Sequence, residues 1–244
     1  PALVRALSKE MAIADLEYEI LIVDDNSPDD TLEVVAELEQ DFPVRILQPG
    51  GRERDLSLSV VDGIREAKAD SVVVMDADLS HPVEVVPVMV RQLKQDDSRF
   101  VLGSRYMEGG SFDRDWSLWR FLNSYIATLM ARPLTSSNDP MSGFFAFDKR
   151  RVVVSKLRPI GYKIGLELMV KGEFTGVTEV AIQFKDRTVG ESKMNFAQQW
   201  KYIKHLRRLY LHRFKGWAEF VHYAVVGASG FVVDVSFYYL LQLA

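Results

Sequence analysis

The chain reads as an α/β fold, and three observations carry that expectation. Short apolar runs alternate with amphipathic stretches from Pro1 to about Lys185. The runs Ile20–Val23 and Val72–Met75 are continuously apolar, as in central strands buried on both faces. Two of the runs end in paired acids, which is where such sheets bind ligands.

The runs predict strands over Glu19–Val23, Val44–Leu47, Ser71–Met75, Phe100–Gly103, Gly143–Phe147 and Thr178–Phe184. Helical periodicity between them predicts helices over Thr31–Gln40, Leu56–Lys68, Val83–Gln95 and Trp116–Ala131. The opening PALVRALSKEMA reads as a helix already under way, so we expect chain upstream of Pro1. No internal repeat or low-complexity segment interrupts the pattern.

At 244 residues, 48% of them hydrophobic, the chain is long enough for a substantial core. It has no cysteine, which excludes a disulfide framework and a thiolate zinc site. The net charge of −4 is unevenly spread. Between Asn195 and Ala218 stand Lys201, Lys204, Arg207, Arg208, Arg213 and Lys215 with no acid, which leaves −10 on the remainder. An acidic body with a basic collar argues against nucleic-acid binding and for a surface that meets anionic lipid.

The character changes after Gly190. Asn195–Trp217 is amphipathic, with Trp200, Ile203, Leu206, Tyr210 and Phe214 near one face and cations around the other. Phe220–Ala244 follows, 25 residues whose only formal charge is Asp234. That length suits a first transmembrane segment, and a hairpin buried against the preceding domain is the alternative. The organisation expected is a catalytic domain over 1–190, a basic interface helix over 191–218, and a membrane segment over 219–244. A basic collar beside a span keeps the catalytic domain on the cytoplasmic face of the membrane.

Met75-Asp76-Ala77-Asp78 carries the most chemistry. Carboxylates at i and i+2 point to opposite faces of a strand, but where the backbone turns at a strand end both can converge on one hard divalent cation. The same acids also suit capping of the helix that opens near Ser80–Pro82. Val23-Asp24-Asp25-Asn26-Ser27 closes another buried run, and its acids suit hydrogen bonds from a base or ribose. Asp29 and Asp30 read as helix N-terminal acids. Two acidic ends in one sheet define a cleft.

VDDNSPDDT, GGRERDLSLSVVDGI, DADLSHP, GSRY, MSGFFAFDK, GYKIGLEL and DRTVGESK occur in the order found in polyprenyl-phosphate mannosyltransferases. From Pro1 to about Lys215 the chain resembles that branch, the dolichyl-phosphate mannose synthases of the inverting family-two glycosyltransferases. The resemblance implies a GT-A fold, a Rossmann-like mixed sheet with flanking helices, followed by an amphipathic interface helix and the start of a transmembrane domain. It implies that Val23 and Asp25 contact the nucleoside, that Asp76, Ala77 and Asp78 surround the donor diphosphate, and that Ile164 lies on the donor side. Mg2+ or Mn2+ is then held by Asp76, Asp78 and Ser80. Relatives often carry Gln at the last of these places, and the shorter Ser hydroxyl reaches through water. Arg187 and Lys193 resemble the basic pair that meets the donor phosphates, on a loop made mobile by Gly190. The family's first strand, with its Pro-x-Tyr-Asn-Glu motif, does not occur in the sequence given; either it belongs to chain upstream of Pro1, or the sheet lacks a central strand.

Arg120 and Ser124 are four apart and share a helix face. With Arg105 of GSRY they suit a lipid phosphate, Arg supplying a fork of donors. Simple packing of that helix on the sheet, with Arg120 snorkelling to water, is the alternative. The implied reaction is inverting transfer of a hexose, mannose from GDP-mannose first, onto dolichyl or polyprenyl phosphate, with Asp78, Arg105, Arg187 and Lys193 as its catalytic set. The alternatives are glucosyl or aminoarabinosyl transfer to the same lipid class, a nucleotidyltransferase, and a non-catalytic sugar-nucleotide-binding scaffold. The partners expected are a nucleotide-sugar, a polyprenyl phosphate and a membrane.

Overall fold

The computed structural model describes residues 1–50, 54–111, 118–184 and 196–242. Its strands are β1 (Ile20–Val23), β2 (Val44–Leu47), β3 (Ser71–Val74), β4 (Arg99–Ser104), β5 (Phe145–Asp148) and β6 (Gly176–Ala181). Each coincides with an apolar run of the sequence. The helices are α1 (Ala2–Ile13), α2 (Thr31–Leu38), α3 (Leu56–Glu66), α4 (Val86–Gln95), α5 (Leu118–Ala131), α6 (Ile164–Lys171), α7 (Phe196–Arg213) and α8 (Lys215–Gln242). Sequence periodicity did not anticipate α6. Six of its eight residues are buried, so it has no polar face to betray a helical period.

The strands form two sheets among the described residues. β1 and β2 are a parallel pair, Ile20 opposite Val44 and Val23 opposite Leu47. The other sheet runs β3-β5-β4-β6, with β5 antiparallel to both neighbours and β4 parallel to β6. The two acidic strand ends, expected in one sheet, therefore belong to different ones: no ladder joins β1 to β3. Packing connects them instead, since Ile20 and Val44 share a core cluster with Val101, Ala146 and Ile182. Val4, Leu7 and Met11 of α1 and Met89 and Leu93 of α4 complete that cluster.

Period-2 alternation on β5 divides the core. Phe144 and Ala146 face the α1/α4 side, and Phe145 and Phe147 face α3 and α6. Phe100 stacks on Phe145 and Phe147 with centroids 5.3 and 5.8 Å apart. Each such pair adds about 0.5–1.5 kcal/mol beyond its buried area. Gly103 makes the close approach of β4 and β5 possible, because a Cβ there would lie 2.8 Å from the Phe144 ring.

A third cluster holds α5, α6 and α7 together through Leu134, Leu166, Val170, Leu206 and Leu209. Tyr202 and Tyr210 of α7 donate to the carbonyls of Ala127 and Met130 on α5, at 2.7 and 2.8 Å. This corrects the expected apolar face of α7. Leu206, Tyr210 and Phe214 pack inward as expected, but Trp200 and Ile203 are exposed, and the packed face also carries Tyr202, His205 and Leu209. α8 is continuous for 28 residues, about 42 Å at 1.5 Å per residue. Helix is present where a membrane segment was expected, yet among the described residues no helix is long and apolar enough to cross a membrane.

Candidate active site

Two strands deliver the chemistry to one edge of the four-stranded sheet. Val74 of β3 and Leu102 of β4 both sit opposite Phe145 of β5. β3 and β4 therefore leave the sheet together, flanking the chain that enters β5 through Ser142–Phe144. Asp76 lies just beyond the end of β3 and Arg105 just beyond the end of β4.

The acidic turn is built by short-range bonds. The Asp76 backbone N–H donates to His81 Nδ1 at 3.1 Å, and the Ser80 N–H donates to Asp78 Oδ1 at 3.0 Å. Leu79 between them sits in the left-handed region at φ 61°. That conformation costs an L-residue about 1–2 kcal/mol and folds the strand end back. Asp76 is half-buried, Ala77 and Asp78 are exposed, and Ser80 is buried. The Ser80 hydroxyl has no hydrogen-bond partner among the described residues. Asp76, Asp78 and Ser80 make an oxygen-only set suited to a hard divalent cation. No group of three or more His, Asp or Glu able to hold a metal occurs among the described residues, so such an ion would draw on substrate oxygens as well.

His81 is buried and stacks on Phe144 at 5.1 Å, with its edge toward Phe184 at 5.6 Å. Across Phe184 lies Arg105, its guanidinium 5.6 Å from the ring. Asp139 holds that guanidinium from below, accepting from Nε at 2.8 Å and Nη2 at 2.7 Å. Burial pulls the Arg105 pKa down, but the Asp139 carboxylate more than offsets it and the net shift is upward. Asp139 is itself set by its loop, where Glu179 of β6 accepts from Ser137 Oγ at 2.7 Å and from Asn138 Nδ2 at 3.1 Å.

The β1 end repeats the acidic-turn design. Asp24 is buried and accepts from the Ser27 N–H at 3.1 Å and from Gln48 Nε2 at 2.9 Å. Burial pushes its pKa up, yet those hydrogen bonds and the Arg54 charge bring it below the ordinary carboxylate value. Asn26 follows in the left-handed region at φ 65°. Asp25 accepts from the Asp55 N–H at 2.5 Å, and Asp55 in turn caps α3 through the Leu58 N–H at 3.0 Å. Ser57 in the first turn of α3 donates to the Gly161 carbonyl at 2.6 Å. The start of α3 thus ties the β1 end to the loop Gly161–Lys163 that opens α6.

That loop carries a residue the sequence reading passed over. Lys163 Nζ is partly buried and donates to the Met141 carbonyl at 2.9 Å, with the Tyr162 ring 4.7 Å away. Its pKa is down to about 8, through burial first and the Arg105 charge second, while Asp139 and Asp76 act in the opposite direction. Asp76 and Arg105 therefore share one electrostatic environment. A cavity of about 380 Å³ lined by Leu47, Pro49, Gly50, Asp62, Arg65 and Glu66 opens at the end of β2, and none of the acidic-turn residues lines it.

Of the expected site residues, Val23, Asp25, Asp76, Ala77, Asp78, Ser80 and Arg105 fall on these two strand ends and the edge beside them. Ile164 lies at the start of α6, and its side chain is buried in the core cluster with Phe145 and Leu168 and not at the open edge. Arg120 and Ser124 lie on α5, with side chains outside the described residues. Arg187 and Lys193 lie outside the described residues altogether. Lys163 and Asp139 were missed. Lys163 stands in the GYKIGLEL motif but was given no role there, Asp139 before Pro140 carries no motif of its own, and only the fold brings them to Arg105.

The glycosyl transferase family 2 model matches residues 1–154. A dolichol-phosphate mannosyltransferase of Pyrococcus furiosus is 39% identical over 94% of this chain and 65% of its own length. The chain thus spans just under two thirds of that relative. The enzyme of the same name from Saccharomyces cerevisiae is 38% identical over 96% of this chain and 85% of its own. Among solved structures, glucosyl-3-phosphoglycerate synthase of Mycobacterium tuberculosis, in complex with Mn2+, UDP-glucose and phosphoglyceric acid, superposes with a TM-score of 0.54. It is 15% identical and covers 87% of this chain and 75% of its own, which makes it a likeness of fold, the GT-A arrangement with its mixed α/β sheet. With acidic turns at two strand ends and a family match over more than half its length, the chain belongs to glycosyl transferase family 2.

Proposed function

We propose that the protein transfers mannose from GDP-mannose to a polyprenyl phosphate of the dolichyl type, with inversion at the anomeric carbon. The observation that carries the reading is the common edge where the Asp76–Asp78 turn and the Asp139-held Arg105 flank the entry to β5. One side suits a sugar diphosphate and the other a phosphate monoester. The names of the relatives support the mannosyl donor and the dolichol acceptor.

In this reading Val23 and Asp25 contact the nucleoside, and Asp76, Ala77 and Asp78 line the diphosphate. Asp76 and Asp78 hold Mg2+ or Mn2+, with the unpartnered Ser80 hydroxyl as a third oxygen. The Mn2+ in the related glucosyl synthase complex supports a divalent ion. When bound, the ion neutralises charge on the departing diphosphate. Arg187 and Lys193 add positive charge to the same leaving group, and Arg105, Arg120 and Ser124 hold the acceptor phosphate.

The acceptor needs little help from a base, because a phosphate monoester with a second pKa near 6 is already anionic at neutral pH. Its oxygen forms the new bond to the anomeric carbon as the bond to the diphosphate oxygen breaks, and the electron pair leaves with the nucleoside diphosphate. His81 is no base in this scheme. Its Nδ1 is occupied as acceptor from Asp76, and its ring is buried between phenylalanines. Positioning and charge neutralisation supply the rate.

The acceptor's lipid tail requires a site at the bilayer surface. Tyr125, Ile126, Leu129 and Met130 of α5 and Trp200, Ile203 and Leu211 of α7 are exposed apolar side chains. Lys204 lies 5.7 Å from the Trp200 ring, and α8 exposes Phe220, Tyr223, Val225, Val226, Phe231 and Val233. With the basic collar, these support α7 as an interface helix on the cytoplasmic face and α8 as the start of the membrane attachment.

The test is an assay with polyprenyl phosphate and Mn2+, supplying GDP-mannose or UDP-glucose. Preference for GDP-mannose, release of GDP and a β-linked product are expected. Release of pyrophosphate, or transfer only from UDP-glucose, overturns the assignment.

A further inference from the structure

Lys163 is a partly buried cation that the reaction scheme above leaves unused. Its side chain is partly buried, and its partners are the Met141 carbonyl at 2.9 Å and the face of Tyr162. An ammonium has three N–H donors, and one carbonyl satisfies only one of them. A partly buried cation left so lightly paired has donors to spare for a further partner. A structural role would call for a carboxylate in contact, as Lys171 has in Glu167. Lys163 has no such ion pair among the described residues. Around it are charges of both signs at the edge of the cleft, Asp76 on the donor side and Arg105 with Asp139 on the acceptor side.

Its backbone is fixed from two directions. Ser57 of α3 holds Gly161, and Gly165 packs so closely that a Cβ there would lie 3.0 Å from the Phe145 ring. The Met141 carbonyl it grips belongs to the segment that leads into β5, between the ends of β3 and β4. The head group therefore sits where the two phosphate-binding halves meet.

We propose that Lys163 binds a phosphoryl oxygen of the substrate at the junction between the Asp76–Asp78 turn and Arg105. This rests on the transferase reading. The oxygen comes either from the acceptor phosphate monoester or from the donor diphosphate, and the chemistry that recognises it is the same. The depressed pKa supports the assignment, since an anion arriving at a cation short of partners restores its preference for the charged form.

The experiment compares the wild-type chain with Lys163→Met, measuring the urea midpoint, the GDP dissociation constant and steady-state kinetics with polyprenyl phosphate. We expect the midpoint to hold or rise, since a partly buried cation is removed, while kcat/KM falls by about 100-fold or more, the scale of one lost charge-stabilising donor. A rise of about tenfold or more in the GDP dissociation constant assigns the oxygen to the donor. A similar rise in KM for polyprenyl phosphate with GDP binding unchanged assigns it to the acceptor. Kinetics and GDP binding all within about threefold of wild type overturn the proposal. If Lys163→Met does not fold, Lys163→Gln, which keeps an N–H for Met141, takes its place, and loss of the fold in both makes Lys163 a structural anchor and also overturns the proposal. Wild-type protein that transfers no sugar sinks the transferase reading alone; Lys163 is then judged by direct binding of GDP and of polyprenyl phosphate, and both within about threefold of wild type in Lys163→Met overturn the proposal.

Discussion

Asp139 grips Arg105 through both carboxylate oxygens, with Nε and Nη2 donating at 2.8 and 2.7 Å and the Arg105 backbone N–H adding a third bond at 3.1 Å. The carboxylate is fully buried, so the pair is enclosed rather than solvated. Removing one partner of a buried pair costs about 3–5 kcal/mol, because the other charge stays behind uncompensated. Asp139→Ala is therefore expected to lose stability on that scale in urea unfolding, and KM for polyprenyl phosphate should rise with it. An unchanged midpoint would show that the pair does not hold the β4 end in place.

His81 acts on the acidic turn through an unprotonated nitrogen. It accepts from the Asp76 N–H at 3.1 Å, and its ring is fixed by Phe144 and Phe184. His81→Phe keeps the ring packing and removes the acceptor. We expect a modest stability loss of about 1 kcal/mol, the net worth of one hydrogen bond. The larger effect should be on the ion, with the Mn2+ concentration for half-maximal activity rising about tenfold. Unaltered Mn2+ dependence would detach His81 from the turn's function.

Those two residues show what sequence could and could not deliver. Asp76 and Asp78 are legible because two acids at the end of an apolar run are conspicuous, and six apolar runs gave six strands for the same reason. The sheet's division was not legible, since nothing in the run Ile20–Val23 tells which neighbour it pairs with. α6 was invisible because burial on all sides erases helical periodicity. Asp139 and Lys163 act through side chains brought together from distant loops, and no local pattern encodes that distance. Ile164 was read from a motif, while its side chain went to the core.

Asp78 is exposed at the tip of the turn, where it accepts from the Ser80 N–H at 3.0 Å. Asp78→Ala removes one of the two carboxylates assigned to the ion, and at an exposed position it should cost the fold less than about 1 kcal/mol. Transfer should fall by at least about 100-fold. Treatment with a chelator should abolish wild-type transfer, with recovery on adding Mn2+ or Mg2+. Activity that persists in the chelator, or in Asp78→Ala at the wild-type level, removes the ion from the scheme.

Glu167 joins α6 to α7 and should give the protein a distinctive acid limb. It is fully buried, with Oε1 accepting from the Arg158 N–H at 2.7 Å and from Lys171 Nζ. Oε2 lies 3.3 Å from His205 Nε2 of α7 without a well-aligned hydrogen bond, and neither atom has a hydrogen-bond partner among the described residues. Burial alone would raise the carboxyl pKa, but the His205, Lys171 and Arg158 contacts bring it to about 2 from 4.5. A depressed carboxyl stabilises the fold above its unfolded pKa and loses that contribution as pH falls through the folded one. The window is therefore about pH 4.5 down to 2, and the contribution above it is about 3 kcal/mol from the size of the shift. Glu167→Gln cannot titrate, so it should be less stable than wild type by roughly that amount at pH 7. The gap should close as pH approaches 2, because every other carboxylate titrates alike in both proteins. Urea midpoints of the two proteins across pH 7 to 2.5 measure it, and a gap that stays constant over that range would place the stabilisation elsewhere than in the Glu167 charge.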